Sequence, residues 1–136
     1  MVDIAAGVLP KNNPVKFRGD SGLKDVDPRQ NNASLVGGFY DSGNNIKFSF
    51  PTAHTITLLS WSVIEYRQKY EAMGQLDHVM DIIKWGSDYL LKLFVPSSDS
   101  KSKPDLVYSQ VNELTNIAPH VCNLFYFFFQ FSLSFN

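Results

Sequence analysis

The sequence predicts an all-α unit, a loop-rich start followed by an antiparallel helix pair. Three observations carry this. Between Thr52 and Met73, Ile56, Leu59, Val63, Tyr66 and Tyr70 recur at helical spacing. From Leu76 onward, Val79, Ile83, Leu90 and Leu93 continue a second stripe of the same period. Only Gly74 and Gln75 separate the two runs, and a link that short makes the helices antiparallel neighbours.

Residues 1–34 read as loop, punctuated by Pro10, Pro14 and Pro28 with Gly19 and Gly22 between them. Arg18 and Asp20 flank Gly19, which predicts a surface turn with a local ion pair worth little. Asn32-Ala33-Ser34 fits the N-glycosylation pattern, a match that is common by chance.

In the first helix, Pro51 suits a first-turn position and Thr52 a helix start. Thr55-Ile56-Thr57-Leu58 is β-branched and alternates like a strand, but the segment is too long for one. Leu58, Trp61 and Ile64 fill a neighbouring face, and Trp61 and Trp85 read as core side chains. Gly74 supplies the stop. In the second helix, Met80, Ile82 and Phe94 lie beside the main stripe. Asp77 and Asp81 lie near the positive end of the helix dipole, and Asp88 and Lys92 form an i,i+4 pair in the better order. Pro96 and Ser97-Ser98 end it. Residues 96–105 form a polar loop, and Leu106–Val111 is a short apolar run of either type.

From about Asn116 the composition changes. Phe125, Phe127, Phe128, Phe129, Phe131 and Phe135 crowd an uncharged tail of about fifteen residues, short of the roughly 20 that a membrane helix needs. The expected division is therefore a domain over residues 1–111 and a divergent Phe-rich tail over 112–136. That tail reads as foreign to the domain, as a read-through past a splice junction would be.

Bulk properties exclude several function classes. The 136 residues suffice for one domain at most, and 18% charged with 44% hydrophobic residues is a globular balance. A net charge of −1 leaves no electrostatic footprint for nucleic acid. Cys122 is alone, so no intrachain disulfide forms. His54, His78 and His120 are scattered without metal-ligand spacing, and no motif calls for a cofactor. The start, MVDIAAGVLP, has neither the basic nor the long apolar part of a signal peptide.

The stretch richest in chemistry is Leu35–Pro51, LVGGFYDSGNNIKFSFP. Gly37, Gly38 and Gly43 allow backbone angles that other residues avoid, and Asn44 and Asn45 tolerate tight turns. One carboxylate, Asp41, sits among hydrogen-bonding groups. The residues alone leave two readings open, a surface turn between packed elements or a loop shaped for chemistry.

Ordered blocks bear on the choice. Leu9-Pro10-Lys11-Asn12-Asn13-Pro14-Val15, Arg18-Gly19-Asp20-Ser21-Gly22-Leu23-Lys24-Asp25, Leu35-Val36-Gly37-Gly38-Phe39-Tyr40-Asp41, Lys47-Phe48, Phe50-Pro51 and Leu58 through Tyr66 resemble the N-terminal part of plant glycoside hydrolase family 9. Its members are the endo-1,4-β-glucanases, or cellulases. Tyr70-Glu71-Ala72, Leu76–Val79 and Ile83 through Tyr89 resemble the membrane-anchored Korrigan type. The resemblance spans about residues 9–111 and stops before the Phe-rich tail. Phe17 departs from the family's usual Trp, and Ser34 stands where an Asp commonly precedes the Leu-Val-Gly-Gly block.

The resemblance implies the opening part of an (α/α)6 barrel, a β-1,4-glucan substrate, no cofactor, and secretion to the cell wall or a membrane anchor. It also implies an inverting hydrolysis, which needs two carboxyl groups roughly 6.5–9.5 Å apart with a water between one of them and the sugar. The family's water-activating loop reads Asp-Ala-Gly-Asp, and the aligned residues here are Asp41-Ser42-Gly43-Asn44. By that alignment Asp41 is the water-positioning acid and Asn44 occupies the place of the general base. An amide orients water but accepts no proton near neutral pH. None of Glu65, Glu71 and Glu113 lies in a motif matching the catalytic acid. The expected product is thus an inactive partial domain, with a non-catalytic glucan-binding remnant or a non-functional truncated product as the alternatives.

Overall fold

The expected helix pair is present. The computed structural model describes residues 4–11, 13, 15–27, 33–43, 45–96 and 106–112, and the backbone of 118–120. Helix α1 spans Ser49–Ala72 and α2 spans Leu76–Lys92. Small strands surround them: β1 (Val26–Asp27), β2 (Ala33–Ser34), β3 (Lys47–Phe48), β4 (Phe94–Val95), β5 (Leu106–Val111) and β6 (Ala118–His120). The rest of the tail, Asn32 and Asn44 lie outside the described residues.

Helix α1 starts three residues earlier than the Thr52 expectation. Phe48 is its N-cap and offers no side-chain cap. Pro51 sits in the first turn, where a backbone N–H has no intrahelical partner to lose. The β-branched stretch is helical, and its hydroxyls turn back on the helix. Thr52, Thr55 and Thr57 donate to the carbonyls of Phe48, Pro51 and Ala53 at 2.8, 2.8 and 2.9 Å. At the far end Gly74 adopts φ +62°. Gly74 N–H reaches Glu71 O and Gln75 N–H reaches Tyr70 O, both at 2.9 Å, which is the Schellman arrangement.

The faces of α1 differ from the sequence reading. Ile56 and Val63 are buried, but Tyr66 is exposed and leaves the helical region, with φ −123° and ψ 25°. Leu58, Trp61 and Ile64 are about half exposed, so Trp61 is no core residue. The helix is apolar on two sides, and only one side has a partner among the described residues.

Helix α2 buries Val79, Gly86 and Tyr89. At Gly86 a Cβ would lie 2.4 Å from Ile56 Cδ1 and 3.3 Å from Phe39, so the bare glycine is what lets α1 approach. The helix ends at Lys92, ahead of Pro96, because Phe94–Val95 leave it as β4. The expected Asp88–Lys92 pair is replaced: Asp88 pairs with Lys84 at 2.7 Å and Lys92 reaches Val36 O at 2.7 Å.

The ambiguous run Leu106–Val111 is a strand. It pairs antiparallel with β3 (Lys47↔Val111, Phe48↔Gln110), with β4 (Phe94↔Val107, Val95↔Leu106) and with β6. Two core clusters result. One joins Leu35, Tyr89, Leu93, Tyr108 and Val111 between α2 and β5. The other joins Ala5, Phe39 and Ile56. Leu90 packs against both.

Candidate active site

The Leu35–Pro51 stretch crosses from one core cluster at Leu35 to the other at Phe39 and then carries a polar turn at the surface. Leu35 is buried and donates its N–H to Asp25 O at 2.8 Å. Gly37 and Gly38 then take φ +115° and +77°, angles that a side chain resists. At Gly38 a Cβ would fall 2.4 Å from Cδ1 of the Tyr89 ring. The Gly38 carbonyl accepts from Trp85 Nε1–H at 3.1 Å and from Ala6 N–H at 2.9 Å. Trp85 is therefore half-buried with its indole N–H spent on this loop.

Phe39 and Tyr40 point inward and anchor the next step. Tyr40 N–H donates to Ile4 O at 2.8 Å, and the Arg18 guanidinium lies 5.3 Å over the Tyr40 ring. The anticipated Arg18–Asp20 pairing gives way to other partners: Arg18 donates to Ser21 Oγ, while Asp20 accepts from Leu9 N–H at 2.9 Å. Beyond Tyr40 the chain turns outward. Asp41, Ser42, Gly43 and Asn45 are exposed. The turn closes where Asp41 N–H donates to Ile46 O at 2.9 Å. Asn45 holds the left-handed conformation at φ 55°, a role that Gly43 leaves unused.

At the exit of the turn stands a charged residue, Lys47. Lys47 is fully buried; its Nζ donates to Leu35 O at 2.9 Å and Gly37 O at 3.0 Å and forms an ion pair with Asp25 Oδ2 at 2.6 Å. The Tyr89 ring lies 4.8 Å away on a further side. Neither Asp25 carboxylate oxygen accepts a hydrogen bond from the described residues, so the contact at Oδ2 is an ion pair. The Tyr89 hydroxyl likewise has no hydrogen-bond partner among them. Burial, and then the nearby charge of Asp25, pushes the Tyr89 hydroxyl well above the usual phenol range. Beside this group, Tyr108 hydrogen-bonds the Asp27 carboxylate, and Ser49 donates to the Tyr108 carbonyl. A signal for this network was visible: Asp25 and Asp27 alternate around Val26, and Lys47 sits between the apolar Ile46 and Phe48.

Of the two residues singled out for catalysis, Asp41 stands at the solvent-facing turn and Asn44 lies outside the described residues. Glu65 and Glu71 are on exposed parts of α1, where Glu65 accepts from Trp61 Nε1–H and Glu71 pairs with Arg67. Glu113 is outside the described residues. The turn thus offers one accessible carboxylate, able to hold or polarise a water, with no second carboxyl from the described residues beside it. No group of three His, Cys, Asp or Glu among the described residues could hold a metal. Among those residues no helix is long and apolar enough to cross a membrane.

The profile described as Glycosyl hydrolase family 9 matches residues 5–122. The chain belongs to that family. Endoglucanase 12 of Oryza sativa subsp. japonica is 57% identical over 107 residues, which are 78% of this chain and 17% of the rice protein. Endoglucanase 25 of Arabidopsis thaliana is 55% identical over 97 residues, 70% of this chain and 16% of its own length. Among solved structures, the endoglucanase of the termite Nasutitermes takasagoensis superposes with a TM-score of 0.69 at 32% identity, covering 80% of this chain and 23% of the termite chain. The cellulase Cel9M of C. cellulolyticum gives 0.68 at 27% identity, covering 82% and 25%. The family 9 chain therefore spans about a sixth of the plant relatives it matches. Its helix pair and loop correspond to part of an (α/α)6 barrel, as expected from the sequence, with the small strands as additions to that expectation.

Proposed function

We propose that this family 9 chain carries the water-activating side of an inverting endo-1,4-β-glucanase, and that the 136-residue polypeptide alone does not turn over. The observation that carries the reading is Asp41, which is exposed at a turn closed by its own N–H on Ile46 O. The relatives' names, endoglucanases of rice and Arabidopsis, support a β-1,4-glucan as the substrate class.

In such a reaction one carboxylic acid protonates the leaving glycosidic oxygen while a carboxylate on the opposite face takes a proton from water. The water's oxygen then bonds to the anomeric carbon as the glycosidic bond breaks. Asp41 is suited to accept a hydrogen bond from that water and fix its direction. Asn44, at the aligned base position, can orient the water but cannot take its proton, and losing a general base typically slows a reaction about 10²–10⁴-fold. The acid comes from none of the described residues. Secretion to the cell wall or a membrane anchor on a longer relative of this chain belongs to the same reading.

The test is hydrolysis of a soluble cellulose derivative by the purified chain. No release of reducing ends above background is expected. Turnover that disappears in Asp41→Ala would overturn the assigned defect.

A second reading, non-catalytic glucan binding, gains from one observation. Trp61 is 58% exposed, so its indole is available to stack on a sugar face. A pull-down on insoluble cellulose separates the two: retention lost in Trp61→Ala favours this reading, and no retention removes it.

A further inference from the structure

The buried Lys47 site joins parts of the chain that are apart in sequence. Its Nζ donates to the Leu35 and Gly37 carbonyls and pairs with the Asp25 carboxylate, and its own backbone is the exit of the Asp41 turn. One side chain therefore ties the entry of the turn to its exit. Entry and exit are otherwise joined at the mouth by the Asp41 N–H to Ile46 O bond. The left-handed Gly37 and Gly38 direct their carbonyls to opposite uses, Gly37 toward Lys47 and Gly38 toward Trp85 and Ala6.

We propose that Lys47 is the positioning residue of the Asp41 turn: its ammonium, held by the buried Asp25 carboxylate, clamps the Leu35 and Gly37 carbonyls and so fixes the backbone that carries Asp41. An ammonium suits this because it is a compact charge that donates in several directions from one point, whereas a guanidinium is planar and binds as a fork. The charge strengthens each bond to a carbonyl in a site closed to water. Asp25 supplies the opposite charge without which a buried cation is strongly disfavoured. That the turn acts on water rests on the glucanase reading; the clamp itself does not.

The test is ¹⁵N backbone relaxation of the full chain, which reports rigidity within the folded state and does not track global stability. In the unsubstituted chain, order parameters at residues 41–43, 45 and 46 are expected near the rigid-backbone value of about 0.85. In Lys47→Met they are expected to fall below about 0.6 while those of α2 between Val79 and Leu90 stay unchanged. Asp25→Asn keeps the shape and removes the charge, and is expected to move the same residues in the same direction by less. It serves where Lys47→Met does not fold. Order parameters at these turn residues that are unchanged in both variants, or already low in the unsubstituted chain, would overturn the proposal. No glucan enters the measurement. A turn that loosens in Lys47→Met, in a chain whose Asp41 proves irrelevant to glucan hydrolysis, would leave the clamp standing and remove the glucanase reading alone.

Discussion

Lys47 Nζ lies 2.6 Å from Asp25 Oδ2, and both side chains are closed to solvent. Such a pair is weak as a net source of stability, yet removing one partner is severe because it leaves the other charge buried and uncompensated. Lys47→Met is expected to destabilise the chain by about 3–5 kcal/mol, measured as a lowered denaturation midpoint. Adding Asp25→Leu is expected to recover much of that loss. Recovery stays incomplete, since the Leu35 and Gly37 carbonyls still lack their donor. Additive losses in the double variant would refute the pairing.

Glycines in the site separate by what a methyl group would meet. Gly38→Ala places a Cβ 2.4 Å from the Tyr89 ring at a left-handed φ, and is expected to cost about 3 kcal/mol or more. Gly86→Ala meets the flexible end of Ile56 and is expected to cost about 1–3 kcal/mol, partly relieved by Ile56→Val. Gly43→Ala meets open space at an ordinary φ and is expected to stay within about 0.5 kcal/mol of the parent. Chemical denaturation of the three variants gives the ranking, and an equal loss at Gly43 and Gly38 would contradict it.

Tyr89 couples the core to alkaline pH. Its hydroxyl titrates higher in the folded chain than in the unfolded one because burial and the Asp25 charge disfavour the phenolate. The stability it contributes is therefore complete below the unfolded value of about 10 and declines as pH rises above it. Melting temperatures are expected to fall above pH 10, with a shallower fall in Tyr89→Phe. At neutral pH the same substitution is expected to be neutral or stabilising, since it removes a buried hydroxyl that has no hydrogen-bond partner among the described residues.

The helix pair was legible because its signals are local: two apolar periods, a two-residue link, and Gly74 at the stop. The boundaries shifted where tertiary contacts intervene, as at Phe94–Val95, which leave α2 to pair with β5. Periodicity could not say which apolar face finds a partner, so Trp61 read as core although it faces solvent. The Asp41 turn stood out by composition. The clamp beneath it did not, because Asp25, Leu35, Gly37 and Lys47 meet only after the chain has folded across sheet and helix. A charge between two apolar residues was the one trace that Lys47 left in the sequence.

The most direct test of the central claim replaces the matching segment of rice Endoglucanase 12 with residues 9–111 of this chain. Hydrolysis of a soluble cellulose derivative by that chimera is expected to be about 10²–10⁴-fold slower than by the parent. Asn44→Asp in the chimera is expected to restore most of the rate, and adding Asp41→Ala to remove it again. A chimera that is as fast as its parent with Asn44 in place would contradict the account.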